Sequence, residues 1–184
     1  MKLSDIKKLH QKKFRVHFGC YLIEGEHLIL ELCKSLMLNR QNNQNKIKDI
    51  VIYLTEDKLQ WAQNLSIDFK LIVLNTKQMQ DISETKTPQG VIARVPFCDE
   101  FRLHTSDTKN LRSVYLYEVQ DPGNLGTILR TLAWFGGFKL LMSPNSVDPF
   151  NAKVIRASMG AIFHIDIEQE VSFQTLHERF TRFA

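Results

Sequence analysis

Residues 115–137 of this 184-residue chain read YLYEVQDPGNLGTILRTLAWFGG. Residues 114–119 are mostly apolar, as is typical of a buried strand, and residues 120–124 are turn-formers. From Leu125 to Phe135 apolar side chains recur at helical spacing, and Gly136 and Gly137 end the predicted helix. The stretch therefore predicts a strand, a polar loop and a helix. In an open α/β sheet, a loop at the carboxyl end of a strand is where ligands usually bind.

The start of the predicted helix carries the first candidate functional residues. Exposed N–H groups at a helix start favour anionic groups such as phosphate. Asn124 stands where the N-cap of this helix is expected, and Gly123 and Gly126 either make the turn or let the backbone approach a ligand closely. Arg130 lies about two turns further on and could face the same cleft. Taken alone, a surface ion pair is the commoner role for such an arginine.

The second half of the chain repeats the alternation of strand and helix. We predict strands at residues 138–142 and 162–167, and helices at residues 151–160 and 173–183. This order predicts a parallel sheet with right-handed crossovers. The irregular polar stretch at residues 96–112 predicts a linker, so the second domain would cover residues 113–184.

Residues 1–95 predict a separate, small α/β domain. We expect an amphipathic helix at residues 1–15, strands at 18–24, 47–54, 69–74 and 91–95, and helices at 26–38, 56–64 and 77–83. Thr55 is the expected cap of the 56–64 helix, and Asn75 or Thr76 opens the last one. The predicted fold class is thus α/β, with a small N-terminal domain followed by a domain built on a parallel sheet.

The charge is concentrated at the N-terminus. The net charge is +4, and residues 1–15 carry six basic side chains against one acidic side chain. The basic residues are Lys2, Lys7, Lys8, Lys12, Lys13 and Arg15. Such a segment is either an electrostatic footprint for nucleic-acid phosphates or a solvated helix face.

Composition excludes several classes of protein. No apolar run is long enough to span a bilayer, and no secretory signal is evident. The three cysteines, Cys20, Cys33 and Cys98, form no CxxC pair, which indicates reduced thiols in a cytosolic protein. No His and Cys cluster has the spacing of a zinc site, so we assign no metal.

An ordered series of segments resembles the SpoU (TrmH-type) RNA ribose methyltransferases, a branch of the SPOUT class. DPGNLGTILRT at residues 121–131 resembles their motif 1, and the likeness continues in FKLLMSP at 138–144, SVDPFN at 146–151 and KVIRASMGAIF at 153–163. Nearer the N-terminus, LIEGE at 22–26 and TPQGVIA at 87–93 resemble the VEGE turn and the TPQGVLA segment of the family's substrate-binding domain.

This resemblance implies a fold and an activity. The fold would be a small three-layer substrate-binding domain followed by a SPOUT-type knot domain. The activity would be transfer of a methyl group from S-adenosylmethionine to a ribose 2′-hydroxyl of ribosomal or transfer RNA, by a cytoplasmic homodimer.

The resemblance also implies roles for particular residues. Arg130 and Asn124 would be catalytic, and the expected RNA contacts are Arg130, Lys153, Arg156, Lys12 and Lys13. A guanidinium with a pKa above about 12 is a poor base, so clamping a phosphate and stabilising the developing alkoxide is the safer role for Arg130. Whether it also takes the hydroxyl proton stays open.

Two later motifs of the family do not occur in the chain. These are a Gly-x-Glu loop and a Ser-Leu-Asn segment, which in the family build the knot around the methyl donor. We therefore expect an incomplete methyltransferase domain, belonging to a fragment or a truncated product, and we assign no cofactor-binding residue.

Two other functions are compatible with parts of the pattern. The absence of the later motifs favours a non-catalytic RNA-binding module that works through its basic N-terminal domain. A dinucleotide-binding enzyme has less support, because residues 121–126 lack the G-x-G-x-x-G spacing and no suitable acidic residue follows a second strand.

Overall fold

A four-stranded sheet organises the first half of the computed structural model, which describes residues 1–38, 47–97 and 112–180. Its strands are β1 (Cys20–Glu24), β2 (Val51–Leu54), β3 (Lys70–Val73) and β4 (Val91–Pro96), in the order β1-β4-β2-β3. Strands β2 and β3 are parallel, and β4 is antiparallel to both of its neighbours.

Helices cover both faces of this sheet because its strands alternate apolar side chains between two cores. Val51 and Tyr53 face a core that contains Ile6 and Met79, whereas Ile52 faces the other one. The helices are α1 (Leu3–Lys8), α2 (Lys12–Phe18), α3 (Glu26–Leu38), α4 (Leu59–Gln63), which follows a 3₁₀ turn at Glu56–Lys58, and α5 (Thr76–Ile82).

A second sheet contains three parallel strands, as the sequence predicts. They are β5 (Arg112–Leu116), β6 (Phe138–Met142) and β7 (Asp166–Glu168), with β6 in the centre. The helices are α6 (Pro122–Phe135), α7 (Ala152–Ser158) and α8 (Phe173–Phe180). Across the three strands, Val114 pairs with Leu140, and Leu140 pairs with Ile167. Their side chains belong to the hydrophobic core that also contains residues of α6 and α7. On the opposite face, Arg179 of α8 binds Glu168 at 2.8 Å.

One hydrophobic core runs from the first sheet into the second. Ile29 and Leu36 of α3 belong to the same cluster as Leu129 of α6 and Phe163 of the 3₁₀ helix Ala161–His164. The hydroxyl of Ser35 donates to the carbonyl of Phe163 at 2.8 Å within this contact. The two sheets are therefore packed together through buried side chains.

Several predicted boundaries are wrong. The helix expected at residues 1–15 is two helices, with Gln11 as the N-cap of the second. Residues 161–164 form a 3₁₀ helix, so the strand expected at 162–167 shrinks to β7. The side chain of Thr55 does not cap its helix but donates to the carbonyl of Gly90 at 3.2 Å. Asn75 does cap α5, in a capping box with Gln78.

Some expectations fall partly outside the described residues. Within the predicted linker at residues 96–112, residues 98–111 are not described, and neither are residues 181–183 of the predicted last helix. Among the residues described, no helix combines the length and the hydropathy needed to cross a bilayer. Over the same residues, no group of three or more His, Cys, Asp or Glu side chains could hold a metal ion.

Candidate functional site

Helix α6 begins three residues earlier than the sequence predicts. The Asp121 carboxylate accepts a hydrogen bond from the Asn124 backbone N–H at 2.7 Å, and Pro122 occupies the first turn. Asp121 is therefore the N-cap, and the expectation that Asn124 fills this role is wrong. The signal was present in the sequence, since proline at the first helical position after an aspartate is a common helix start.

The solvent-facing side of α6 carries both residues expected to be catalytic. Asn124 and Arg130 are exposed, and neither side chain makes a hydrogen bond or ion pair with any described residue. Between them, Thr127 donates to the carbonyl of Gly123 at 3.0 Å, and Thr131 donates to that of Thr127 at 3.1 Å. The two hydroxyls are thus satisfied within the helix, which leaves the amide and the guanidinium available to a ligand.

Gly126 has a packing role. A Cβ atom at this position would lie 2.4 Å from the Cβ of Ala157 and 2.9 Å from the backbone nitrogen of Ser158. The glycine therefore allows α6 and α7 to approach closely. Ser158 is fully buried and donates to the carbonyl of Ile155 at 2.8 Å, so it is part of the packing between the helices.

The loops at the carboxyl edge of the second sheet are tied to one another. The backbone N–H of Glu118 donates to the Ser143 hydroxyl at 2.8 Å, and Val147 donates to the carbonyl of Val119 at 2.8 Å. The loops that follow β5, β6 and β7 each contain one non-glycine residue with positive φ, namely Glu118, Asn145 and Glu170 respectively. Such conformations are strained and tend to cluster at functional sites.

The basic residues of α7 point in different directions. Lys153 is exposed, and its backbone N–H donates to the capping side chain of Asn151 at 2.9 Å. Arg156 instead approaches the first half of the chain, with Nη1 3.8 Å from Oε2 of Glu84. The hydrogen bond from His10 is the main reason why the pKa of Glu84 lies below its usual value, and Arg156 adds to this effect.

The basic segment at the N-terminus also contains both exposed and buried side chains. Lys12 and Lys13 are exposed on α2. Nζ of Lys12 lies 3.4 Å from Oε1 of Glu170. Nζ of Lys13 lies 4.8 Å from the centroid of the Phe14 ring. Arg15 is buried and bonds to Asp148, so it does not belong to the exposed footprint. The amphipathic pattern of residues 1–15 gave no sign of this partner, which lies 133 positions away.

A cavity of about 310 Å³ lies between the two sheets. Its walls include Tyr21, Phe97 and Phe150, whose rings contact one another, with Phe97 and Phe150 4.8 Å apart between centroids. Arg15 and Gln169 provide polar groups at the wall. Sequence reasoning missed this site, because its residues come from both halves of the chain.

The cavity between the two sheets does not fit S-adenosylmethionine. The cofactor carries a sulfonium, an ammonium and a ribose diol, all of which need acceptor groups. Of the described side chains that line the cavity, Asp148 is the one carboxylate, and its two oxygens already accept from Arg15 and from the backbone of Phe150. We therefore derive no catalytic step through the cofactor from these residues.

Two family models match the chain. The model described as the SpoU rRNA Methylase family covers residues 112–182, and the one described as an MRM3-like substrate binding domain covers residues 1–93. A Bacillus subtilis relative, 23S rRNA (guanosine(2553)-2′-O)-methyltransferase RlmP, is 35% identical over 167 residues, which cover 90% of this chain and 60% of the relative. Human mitochondrial rRNA methyltransferase 3 is 30% identical over 183 residues, 95% of this chain and 41% of the relative.

Solved structures share this fold. The AdoMet-bound rRNA methyltransferase from Sinorhizobium meliloti aligns with a TM-score of 0.71 at 26% identity, covering 99% of this chain and 65% of that one. The SpoU methyltransferase AviRb from Streptomyces viridochromogenes aligns with a TM-score of 0.75 at 16% identity, over 98% of this chain and 66% of that one. The chain thus spans between about two fifths and two thirds of the length of these relatives. With both family models matched in order along it, the chain belongs to the SpoU rRNA methylase family, and its first half is a substrate-binding domain of the MRM3-like type.

Proposed function

We propose that this protein acts in the 2′-O-methylation of RNA, in which a methyl group passes from S-adenosylmethionine to a ribose hydroxyl. The observation that carries the proposal is the pair Asn124 and Arg130, exposed and without a partner among the described residues, on a helix that matches the SpoU model. The names of the Bacillus and human relatives favour ribosomal RNA over transfer RNA as the substrate. The Sinorhizobium relative is an AdoMet-bound enzyme, which supports S-adenosylmethionine as the donor.

In this proposal Arg130 holds the substrate. Its guanidinium can bind a phosphate through two parallel hydrogen bonds and stabilise the negative charge that develops on the ribose oxygen. The Asn124 amide is exposed on the first turn of the same helix and can hold the sugar in line for the transfer, a step in which positioning lowers the barrier.

The surrounding basic residues would contact the RNA backbone. Lys153 follows the cap of α7, and Lys12 and Lys13 lie exposed on α2, which supports this role for all three. Arg156 has weaker support, because its side chain is less exposed than that of Lys12 and approaches Glu84 in the first half of the chain. The division into an RNA-binding domain at residues 1–95, a linker at 96–112 and a methylase domain at 113–184 is part of the same proposal.

We also propose that the protein works as a homodimer in the cytoplasm. Trp134 and Phe135 at the end of α6 are 87% and 71% exposed, which is unusual for neighbouring large apolar side chains. Sedimentation velocity would test the dimer. Trp134→Ala should shift it toward monomer, whereas Phe173→Ala, which removes another exposed aromatic side chain, on α8, should not.

Transfer of a radiolabelled methyl group from S-adenosylmethionine to ribosomal RNA tests the reaction. A 2′-O-methyl group blocks alkaline cleavage of the adjacent linkage, so resistance of the labelled product to alkali identifies the acceptor. Arg130→Ala should lower the rate by about 100-fold, as expected when one transition-state donor is lost. Arg179→Ala, which removes a surface ion pair, is the matched control. Undiminished transfer by Arg130→Ala would refute the role given to this residue.

A further inference from the structure

We propose that the cavity between the two sheets binds one unstacked nucleobase of the RNA. This inference rests on the proposed function, because it takes RNA as the ligand. It goes further by assigning a base-binding site to a place where both halves of the chain meet, away from the exposed face of α6.

The walls of the cavity suit a flat aromatic ring. Its volume of about 310 Å³ lies within the range of small-molecule sites, which are mostly apolar with a few placed polar groups. Phe97 and Phe150 meet edge to face at 4.8 Å, and Tyr21 lies 4.8 Å from Phe150. Aromatic side chains of this kind are the surfaces on which single-stranded nucleic acids stack their bases.

Polar groups at the wall have unused hydrogen-bonding capacity. Arg15 donates from Nε and Nη2 to Asp148 and from Nη1 to the carbonyls of Leu9 and His10, so four of its five N–H groups are engaged. The fifth, on Nη2, has no acceptor among the described residues. The Gln169 amide makes no hydrogen bond with those residues either, and it offers one donor and one acceptor side by side, as base edges do.

The charge at the mouth favours a nucleotide over a neutral apolar ligand. Val16, 68% exposed, and Lys12 line the cavity, so it opens to solvent beside α2. Lys13 is exposed on the same helix. A phosphate attached to a base inside the cavity would meet the ammonium group of Lys13 and would compete with Glu170 for that of Lys12, which lies 3.4 Å from Oε1 of Glu170 in an exposed ion pair.

Photocrosslinking with 4-thiouridine 5′-monophosphate would locate the base, and ligand-observed NMR with AMP, GMP, CMP and UMP would measure binding of the natural bases. We expect a crosslink to Tyr21, Phe97 or Phe150, identified by peptide mass spectrometry. Val16→Trp should fill the mouth and abolish the crosslink, whereas Val73→Trp, on an exposed position of β3, should leave it intact. Gln169→Ala should weaken nucleotide binding by about tenfold, and circular dichroism would verify that each variant is folded.

The outcomes separate this site from the proposed reaction. Absence of crosslinking and of nucleotide binding in the wild-type protein, or an unchanged crosslink in Val16→Trp, would overturn the base site, whatever the methyl-transfer assay shows. If the crosslink behaves as expected while no methyl group is transferred to RNA, the base site stands and the proposed reaction is the part that fails.

Discussion

Arg15 and Asp148 form a buried ion pair that joins the first half of the chain to the second. Nη2 of Arg15 lies 2.6 Å from Oδ2 of Asp148, and Nε lies 3.1 Å from the same oxygen. The two side chains are 4% and 11% exposed. The pair fixes α2 against the loop that follows β6, and it forms part of the wall of the cavity between the two sheets.

Breaking this pair should destabilise the protein strongly. Arg15→Ala leaves an unpaired carboxylate in a buried position, and we expect the free energy of unfolding to fall by about 3–5 kcal/mol. Urea denaturation of Arg15→Ala, Asp148→Ala and the double variant would measure the coupling between the residues. The apolar replacement Arg15→Met with Asp148→Leu should cost less than either single alanine change. A loss below about 1 kcal/mol in both single variants would contradict the buried pair.

Gly126 should not tolerate even one methyl group. In Gly126→Ala the new Cβ would overlap Ala157, and relief of such overpacking typically costs about 1–3 kcal/mol. Gly123→Ala is the matched control on the same helix, because within the described part of the chain its Cβ would meet only the Asp121 carboxylate, at 3.1 Å. Thermal denaturation should show a clearly lower Tm for Gly126→Ala alone. Equal Tm values would mean that α6 and α7 do not need this close approach.

Substitutions of Asp121 and Asn124 should have different effects, the first on the stability of α6 and the second on methyl transfer. Asp121→Ala removes the N-cap and should lower the free energy of unfolding by about 1 kcal/mol. Asn124→Ala removes an exposed side chain and should change it by less than about 0.5 kcal/mol, while lowering methyl transfer to RNA. Denaturation and the transfer assay on both variants would check this. A larger loss of stability in Asn124→Ala than in Asp121→Ala, with methyl transfer unchanged in Asn124→Ala, would mean that Asn124 has the structural role.

Lys12 and Lys13 should contribute to RNA binding mainly through charge. Each phosphate contact to single-stranded RNA adds about 0.7 to the magnitude of the slope of log affinity against log salt concentration. Replacing both with glutamine should therefore reduce the slope by about 1.4. Fluorescence anisotropy between low and moderate salt would measure it. Lys70→Gln with Lys77→Gln, at exposed positions elsewhere in the first half of the chain, should not alter the slope.

Glu168 should stabilise the fold in a pH-dependent way. Hydrogen bonds from Arg179 and then Lys139 lower its pKa to about 2. Because the folded-state pKa lies below the unfolded value of about 4.3, the stabilisation is present above that value and is lost as the pH falls toward 2. Solvent screens this partly exposed group, so Glu168→Gln should cost at most about 1 kcal/mol at pH 7.

Denaturation of wild type and Glu168→Gln at several pH values checks this expectation. The difference in the free energy of unfolding should shrink steadily between pH values of about 5 and 3. Glu178→Gln on α8 is the control, since Glu178 lies on the exposed surface and, among the described residues, accepts a hydrogen bond only from Gln174 of the same helix. A difference that grows on acidification would contradict the sign of the shift.

The sequence by itself determined the parallel second sheet, the position of β6 and the span of α3, because the periodicity of apolar residues is a local property. The order of the motifs from residue 22 to residue 163 also identified the family, and Asn124 and Arg130 are both exposed on one helix. The strand predicted at 162–167 was wrong in its first half, where Ile162 and Phe163 are buried in a 3₁₀ helix. A short apolar run does not by itself distinguish a strand from a helical turn.

Only the tertiary structure decided which basic residues are available to a ligand. Arg15 is buried against Asp148 and Arg156 approaches Glu84, whereas Lys12, Lys13 and Lys153 remain exposed. These partners are far apart in the chain, so no local pattern encodes them. The cavity has the same origin, because it exists only where the first sheet packs against the second and encloses side chains from both.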